Sequence, residues 1–480
     1  MKLRKRFVFI LLLPAIFLLV FSACTNSGNW PQFRGPDGNM TASGKSLPDT
    51  WGNDKNIKWT YEINGTGWSS PVVWGNRIFI TSTFPEKVAP VPERGPGGPR
   101  PQPDQGPQHG QRPQPGQGPQ QGQGPRPGQA PDVPMPEDTS YKADIYRWEV
   151  TCIDLSTGKE IWKQTAFRGS PKVGKQQMNT YASETPVTDG KRIYAYFGMM
   201  GLYCYDMDGK LLWRTDLGDF KTQNGWGTGS SPVLYNEILY IQVDNEVHSF
   251  IVAIDAATGK EKWSADRDEK TNYSTPFIWK NNVRTELVAG GKTVLSYELN
   301  TGKVIWEFKA GGEQVIPSPM ADEGHLYIGN ESGDKVKGKF YAVKAGAEGD
   351  ITPKDSLSLG SWLQWSAPDA GLGSGSPLLY KGLIYNIGGK GELTVTSAAD
   401  GKQVYKKRIN GMGAVWSTAW ACNDKIFFYD EKGATRVIKA GEQFELLSEN
   451  RLDDKFWASV AIAGDNLIFR GVNKLWCIGK

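Results

Sequence analysis

The chain has 480 residues, 11% of them aromatic, with 57 glycines, 18 tryptophans and a net charge of +4. That length suffices for one large β domain or several ordinary ones. Lys2, Arg4, Lys5 and Arg6 account for the whole excess, so the chain from residue 24 onward is neutral and offers no basic face for nucleic acid.

The first element is a targeting segment. Basic residues precede an apolar run from Phe7 to Phe21, which is short for a membrane span and right for a secretory signal. Ser22-Ala23-Cys24 then resembles a bacterial lipobox, with Phe21 where leucine is usual. Residues 1–23 are therefore expected to be a lipoprotein signal peptide, and Cys24 the lipidated first residue of the mature chain. Ordinary cleavage with Cys24 unmodified is the alternative. Thr25 and Asn26 bring no aspartate, which in this class implies the outer membrane of a Gram-negative cell, with the folded part facing the periplasm. Residues 24–56 form a lead-in outside any repeat.

Repetition begins after that. NIKWTYEI, from Asn56 to Ile63, is an orphan strand ahead of the first unit. Eight related phrases follow: SPVVWGNRIFI from Ser70, TPVTDGKRIYAY from Thr185, SPVLYNEILYI from Ser231, TPFIWKNNVRTEL from Thr275, SPMADEGHLYI from Ser318, SPLLYKGLIYN from Ser376, TAWACNDKIFF from Thr418 and VAIAGDNLIF from Val460. Each reads as a short apolar strand, a polar turn and an alternating strand. A second phrase closes several units: CIDLSTGKEIW from Cys152, CYDMDGKLLW from Cys204, AIDAATGKEKW from Ala253 and SYELNTGKVIW from Ser296. It supplies a third strand, a glycine turn and a fourth strand carrying tryptophan. Successive prolines at Pro232, Pro276 and Pro319 lie 44 and 43 residues apart, a blade-like period. The fold predicted is all-β: an eight-bladed β-propeller of four-stranded antiparallel blades over residues 57–480. The last unit lacks its fourth strand, and the orphan strand with Trp59 supplies it, closing the ring.

Residues 85–137, rich in Pro, Gly and Gln, interrupt blade one and are too polar to fold. They read as a flexible insertion, tolerated at a loop tip, with a docking arm as the other reading. Cys152, Cys204 and Cys477 share one repeat position a blade width apart, so buried thiols are expected rather than bridges.

The repeat resembles the PQQ-like repeats of quinoprotein-type propellers, on the strength of the A-x-D-x-x-T-G-K-x-x-W pattern. The plan is also similar to that of the scaffold lipoproteins of the outer-membrane barrel-assembly machine. The resemblance implies that Trp59, Trp162, Trp213, Trp263 and Trp306 dock neighbouring blades. It also raises a quinone-dependent alcohol or sugar dehydrogenase, with PQQ and calcium as cofactors and Glu184 as a possible ligand. No vicinal disulfide or matching aspartate base accompanies it. His109, His248 and His325 form no metal motif, and neither G-x-S-x-G nor a P-loop occurs.

Three residues before each aligned strand head stand Trp68, Ser183, Gly229, Tyr273, Ile316, Ser374, Trp416 and Trp457. They are expected to ring the axis at the channel mouth, with Tyr181, Glu184, Asn224, Trp226 and Trp365 nearby. The ligand-binding candidates are Trp68, Tyr181, Glu184, Trp226, Tyr273, Trp416 and Trp457; aromatic packing that plugs a wide ring is the alternative. Glu184, an acid in such a loop, is expected to meet solvent unless it is a ligand. The function expected is a lipid-anchored, monomeric, non-catalytic scaffold for protein or peptide, with no resident cofactor or metal and no nucleic-acid partner. A quinone dehydrogenase and a polysaccharide-binding propeller are the alternatives.

Overall fold

The computed structural model describes residues 28–42, 46–87, 140–312, 316–331, 338–354, 359–367 and 372–480. Cys24, His109 and the insertion from residue 88 lie outside them. Eight antiparallel sheets follow one another along the chain, each running from an inner strand to an outer one. Blade three is representative: Val233–Tyr235, Ile238–Val243, Ser249–Asp255 and Glu261–Arg267, paired in that order. The first strands of neighbouring blades approach one another around the axis. Blade eight is completed by Ile57–Glu62, with Trp59 opposite Cys477 and Thr60 opposite Trp476, so the two ends of the chain close the ring.

The recurring turn explains its own sequence. The Asp255 carboxylate accepts from the backbone N–H and hydroxyl of Thr258 at 2.9 and 2.8 Å, and Asp154 does the same with Thr157. The glycine that follows adopts a left-handed φ and lies flat beneath the preceding blade's tryptophan. A Cβ on Gly302 would fall 2.4 Å from the Trp263 ring. The indole then donates to a backbone carbonyl of the next blade: Trp59 to Leu155 at 2.8 Å, Trp162 to Met207 at 2.9 Å, Trp213 to Ala256 at 3.2 Å and Trp263 to Leu299 at 2.9 Å. Opposite each tryptophan on the third strand sits a small residue, Cys477, Cys152, Cys204 or Ala253. The four described cysteines are accordingly buried free thiols, and burial pushes those of Cys152, Cys204 and Cys477 up to about 12.

Trp306 departs from the pattern. Blade five has no such turn, and the Trp306 indole donates instead to Glu286 of its own blade at 2.7 Å, while Gly349–Asp350 adds a short parallel strand outside it. Trp365, expected near the mouth, is the docking tryptophan of blade five: it covers Gly401 and donates to Ala398 at 2.8 Å.

Two other expectations change. The second strand of blade one runs from Arg77 to Lys87, so residues 85–87 belong to the blade rather than to the insertion. Pro85 is tolerated because the pairing shifts register there. The lead-in is also built into the ring. Trp30 exchanges two 2.8 Å backbone hydrogen bonds with Val73 of blade one, and Pro31 accepts from Thr188 of blade two. Gln32 accepts from Leu234 of blade three, Gly38 lies against Phe277 of blade four, and Arg34 donates to Pro319 of blade five at 2.6 Å. Thr41–Ala42 then pairs in parallel with the inner strand of blade seven. One end of the channel is thus closed by the chain's own beginning. Further on, Trp51 is 4% exposed and packs against Phe427 and Phe469 between blades seven and eight, beside Ser448, which holds the place a docking tryptophan would take.

Gly302→Ala and Gly382→Ala separate backbone strain from docking. Both glycines have a left-handed φ, but nothing lies within 4 Å of a Cβ at Gly382. Gly382→Ala should lose about 1–2 kcal/mol in urea unfolding, and Gly302→Ala roughly 1–3 kcal/mol more as Trp263 is displaced. Equal losses would show that the indole does not depend on that seat.

Candidate functional site

The other end of the channel is a blind funnel. Its first tier holds all eight residues placed three positions before the strand heads, Trp68, Ser183, Gly229 and Tyr273 on one side and Ile316, Ser374, Trp416 and Trp457 on the other. Trp226 joins them, and Phe33 of the lead-in forms the floor. The enclosed volume is about 370 Å³, within the range of small-ligand pockets. Trp457 is stacked on Trp68 at 4.6 Å between centroids and on Trp416 at 4.9 Å. Trp68 and Trp416 do not stack on each other, so they cover opposite faces of Trp457. The Trp68 indole is steered by the Met178 carbonyl at 2.8 Å, and that of Trp416 faces Glu431 at 3.3 Å. Tyr273 leans over Gly229, where a Cβ would lie 3.4 Å from its ring. Its hydroxyl is buried without a hydrogen-bond partner, and burial pushes it up to about 12.

A second tier lies two residues deeper. The hydroxyl immediately before each strand head accepts the backbone N–H of its counterpart in the preceding blade. The bonds run Ser70 to Thr185 at 2.9 Å, Thr185 to Ser231 at 3.0 Å, Ser231 to Thr275 at 3.1 Å, Thr275 to Ser318 at 3.0 Å and Ser318 to Ser376 at 2.9 Å. They resume from Thr418 to Ser459 at 3.0 Å and close from Ser459 to Ser70 at 3.1 Å. Only the joint between Ser376 and Thr418 lacks this bond. All eight residues line the cavity. The sequence carried the signal, a serine or threonine at the same place in every copy, but the repeat alone assigns it no partner.

Three of the predicted positions lie elsewhere. Tyr181 packs outside the funnel against Tyr146 and Trp148, with its carbonyl accepting from the Trp148 indole at 3.0 Å. Asn224 is exposed on a loop. Glu184 does not meet solvent: it is 1% exposed, bonded to the Thr228 hydroxyl, and absent from the funnel lining. Burial raises its carboxyl to about 7, because the charged form has lost its water and gained only hydrogen bonds in exchange. Of the described histidines, His248 pairs with Asp266 at 2.9 Å and His325 faces Asp322 at 3.6 Å, both away from the funnel.

The quinone and calcium can be tested against these donors. Calcium asks for carboxylate and carbonyl oxygens, and the quinone's acid groups ask for cations. The described lining holds no Asp, Glu, Lys, Arg or His; Glu184 is buried behind it, bonded to the hydroxyl of the lining residue Thr228. Among the described residues, no cluster of three or more His, Cys, Asp or Glu side chains is placed to hold a metal. The residues present do not fit that pair.

Comparison with known proteins places the chain. The family described as outer membrane protein assembly factor BamB matches residues 146–278 and 282–425, more than half of the sequence. A tetrathionate hydrolase of Acidithiobacillus ferrooxidans is 22% identical over 252 residues, covering 48% of this chain and 46% of that protein. The chain thus spans about half the length of the curated relative it matches. Among solved structures, a europium-containing methanol dehydrogenase superposes with a TM-score of 0.60 at 11% identity, covering 94% of this chain and 91% of that one. BamB from Moraxella catarrhalis gives 0.49 at 12% identity, over 69% of this chain and 91% of that one. The likeness to the methanol dehydrogenase is one of fold, the propeller.

Glu184 makes stability depend on pH. The folded chain keeps its proton up to about 7 and the unfolded chain only to about 4.5, so its contribution is complete below 4.5 and is lost as pH rises toward 7. Urea unfolding of Glu184→Gln relative to the parent should show a relative gain of roughly 3 kcal/mol across that window. A difference that does not vary with pH would mean that Glu184 is charged when folded.

Proposed function

The chain belongs to the family described as outer membrane protein assembly factor BamB, and from that premise we propose that it is a non-catalytic scaffold of the cell envelope that binds protein or peptide segments at the funnel mouth. One observation carries this reading. Every described side chain lining the funnel is aromatic, aliphatic, thioether, hydroxyl or amide. General acid–base work needs a group titrating near the working pH, and the one titratable side chain there, Tyr273, is pushed up to about 12. Rigid aromatic anchors around a desolvated centre are instead what peptide recognition uses. The family's description, an assembly factor for outer membrane proteins, fits a partner presented as an unfolded or extended segment.

The two alternatives ask for features the described lining lacks. A quinone dehydrogenase asks for ion and acid-group ligands. A sugar platform asks for open indole faces, whereas both faces of Trp457 are taken by its neighbours. The lipid anchor is part of the proposal: Cys24 tethers a monomer to the outer membrane, with the propeller in the periplasm and no cofactor required.

Titration with extended peptides bearing aromatic side chains should change the tryptophan emission, and Trp416→Ala should weaken binding about tenfold or more. Retained affinity in a folded Trp416→Ala protein would sink the assignment of the mouth. For the anchor, Cys24→Ser should move the protein from the membrane fraction to the soluble periplasmic fraction; continued co-sedimentation with membranes would exclude lipidation at that residue.

A further inference from the structure

The funnel selects among ligands more narrowly than its aromatic wall suggests. Seven of the eight hydroxyls of the second tier use an oxygen lone pair for the neighbouring blade, yet none of the eight donates its own proton to an acceptor among the described residues. The Thr418 hydroxyl makes no hydrogen bond with a described residue; only its backbone N–H does, to Ser459. These residues are all buried and all line the cavity. A buried hydroxyl proton without an acceptor costs free energy until water or a ligand accepts it. The base of the funnel therefore presents hydroxyl protons that no described residue accepts.

Charge points the same way. Beneath the floor, behind the funnel lining, Arg34 is 2% exposed and donates to the carbonyls of Pro319 at 2.6 Å, of Pro377 at 3.4 Å and of Ser318, itself a member of the hydroxyl tier, at 3.4 Å. It makes no ion pair with a described residue, and its Nε has no partner. Burial lowers it to about 10, with Asp37 the opposing charge, so it stays cationic at neutral pH. No described carboxylate lines the cavity to repel an anion.

Shape supplies the third constraint. Phe33 and the lead-in close the funnel below, and about 370 Å³ is room for a terminal residue or two. A blind pit of that size admits the end of a chain rather than a loop. An amino terminus would bring a second cation and further donors; a carboxyl terminus brings acceptors for the unused hydroxyl protons and a charge opposite to that of Arg34.

We propose that the base of the funnel is a carboxylate pocket that receives the C-terminal end of an extended peptide, the hydroxyl tier donating to its oxygens while the tryptophan tier holds the side chains above. This rests on the reading of the mouth as a peptide site and deepens it. The same chemistry could be met by a free small organic acid, and the experiment separates the two sources.

Two short synthetic peptides ending in phenylalanine, identical except for a free carboxylate or a primary amide, are titrated against the full chain by calorimetry, alongside phenylacetate and phenylacetamide. The free-acid peptide should bind about tenfold or more tightly than its amide and more tightly than phenylacetate. Thr418→Val, which removes a hydroxyl that joins no blades, should reduce the acid preference a few-fold without shifting the melting temperature. Arg34→Met should abolish the preference even if it lowers the melting temperature, since affinity is compared within one protein. Equal affinity for acid and amide overturns the carboxylate pocket and leaves the peptide reading standing. Phenylacetate binding as tightly as the peptide keeps the carboxylate and overturns the peptide source. Binding of neither peptide overturns both proposals.

Discussion

The ring stands on hydroxyls placed between blades. In a propeller the sheets radiate from the axis, so the first strand of each is a sheet edge, and neighbouring first strands are too splayed to form a ladder. The N–H groups on that edge would face a narrow channel unpaired, which a folded chain tolerates poorly. Here the N–H at the head of each strand is taken by a serine or threonine of the next blade at seven of the eight joints. In six copies the following residue is proline, from Pro71 to Pro377, which has no N–H to satisfy. The Ser/Thr-Pro pair thus solves the edge problem with two residues, and the solution must be repeated in every blade because the ring has no end at which to stop.

That repetition is why so much could be read from the sequence. A period-two strand fixes which residues share a face, and eight aligned strand heads fix height along the axis. Counting back three positions therefore placed Trp68, Tyr273, Trp416 and Trp457 at one mouth. Closure was legible for the same reason, since a unit missing one strand and an orphan strand bearing Trp59 are complementary only in a ring. What escaped was whatever occurs once. Residues 28–42 have no second copy, and their contacts reach blades one to seven, blade six through Arg34, which donates to the Pro377 carbonyl at 3.4 Å. Glu184 lies in a repeat loop, but its burial depends on Thr228 of the neighbouring blade. Trp365 was misplaced because blade five lacks the glycine turn that marks the other docking tryptophans, although the glycine it covers, Gly401, belongs to blade six.

The lead-in gives the two ends of the channel different chemistry. At the closed end, backbone and side-chain polar groups of residues 30–42 pair with inner strands that would otherwise line a water-filled pore. At the open end, rings and hydroxyl protons are left facing the lumen. A cylinder of near-identical blades would be alike at both ends apart from strand direction; the asymmetry comes from a segment outside the repeat. The same segment repairs a defect in it. Blade seven carries Ser448 instead of a docking tryptophan, and Trp51 fills the gap while the Asp49 carbonyl accepts from the Ser448 hydroxyl at 2.6 Å.

The aromatic wall is built at the seam where the chain's ends meet, and this ties binding to closure. Trp416, Trp457 and Trp68 belong to blades seven, eight and one, so the stack crosses the joint that the N-terminal strand must zip. Arg470 of blade eight reaches over that joint. It is 1% exposed and donates to the Ser69 carbonyl at 3.1 Å, to the Ser69 hydroxyl, to the Thr81 carbonyl and to the Ser82 hydroxyl at 3.0 Å. Burial lowers it to about 9, as expected where carbonyls and hydroxyls, but no carboxylate, replace its water. Gly67 leaves space for the guanidinium, since a Cβ there would fall 2.2 Å from it. Trp68 lies between Gly67 and Ser69, so the arginine that clamps blade eight to blade one also holds the loop that aims the indole. A chain whose ends are not zipped has no reason to keep Trp68 against Trp457, and the mouth is complete only when the ring is.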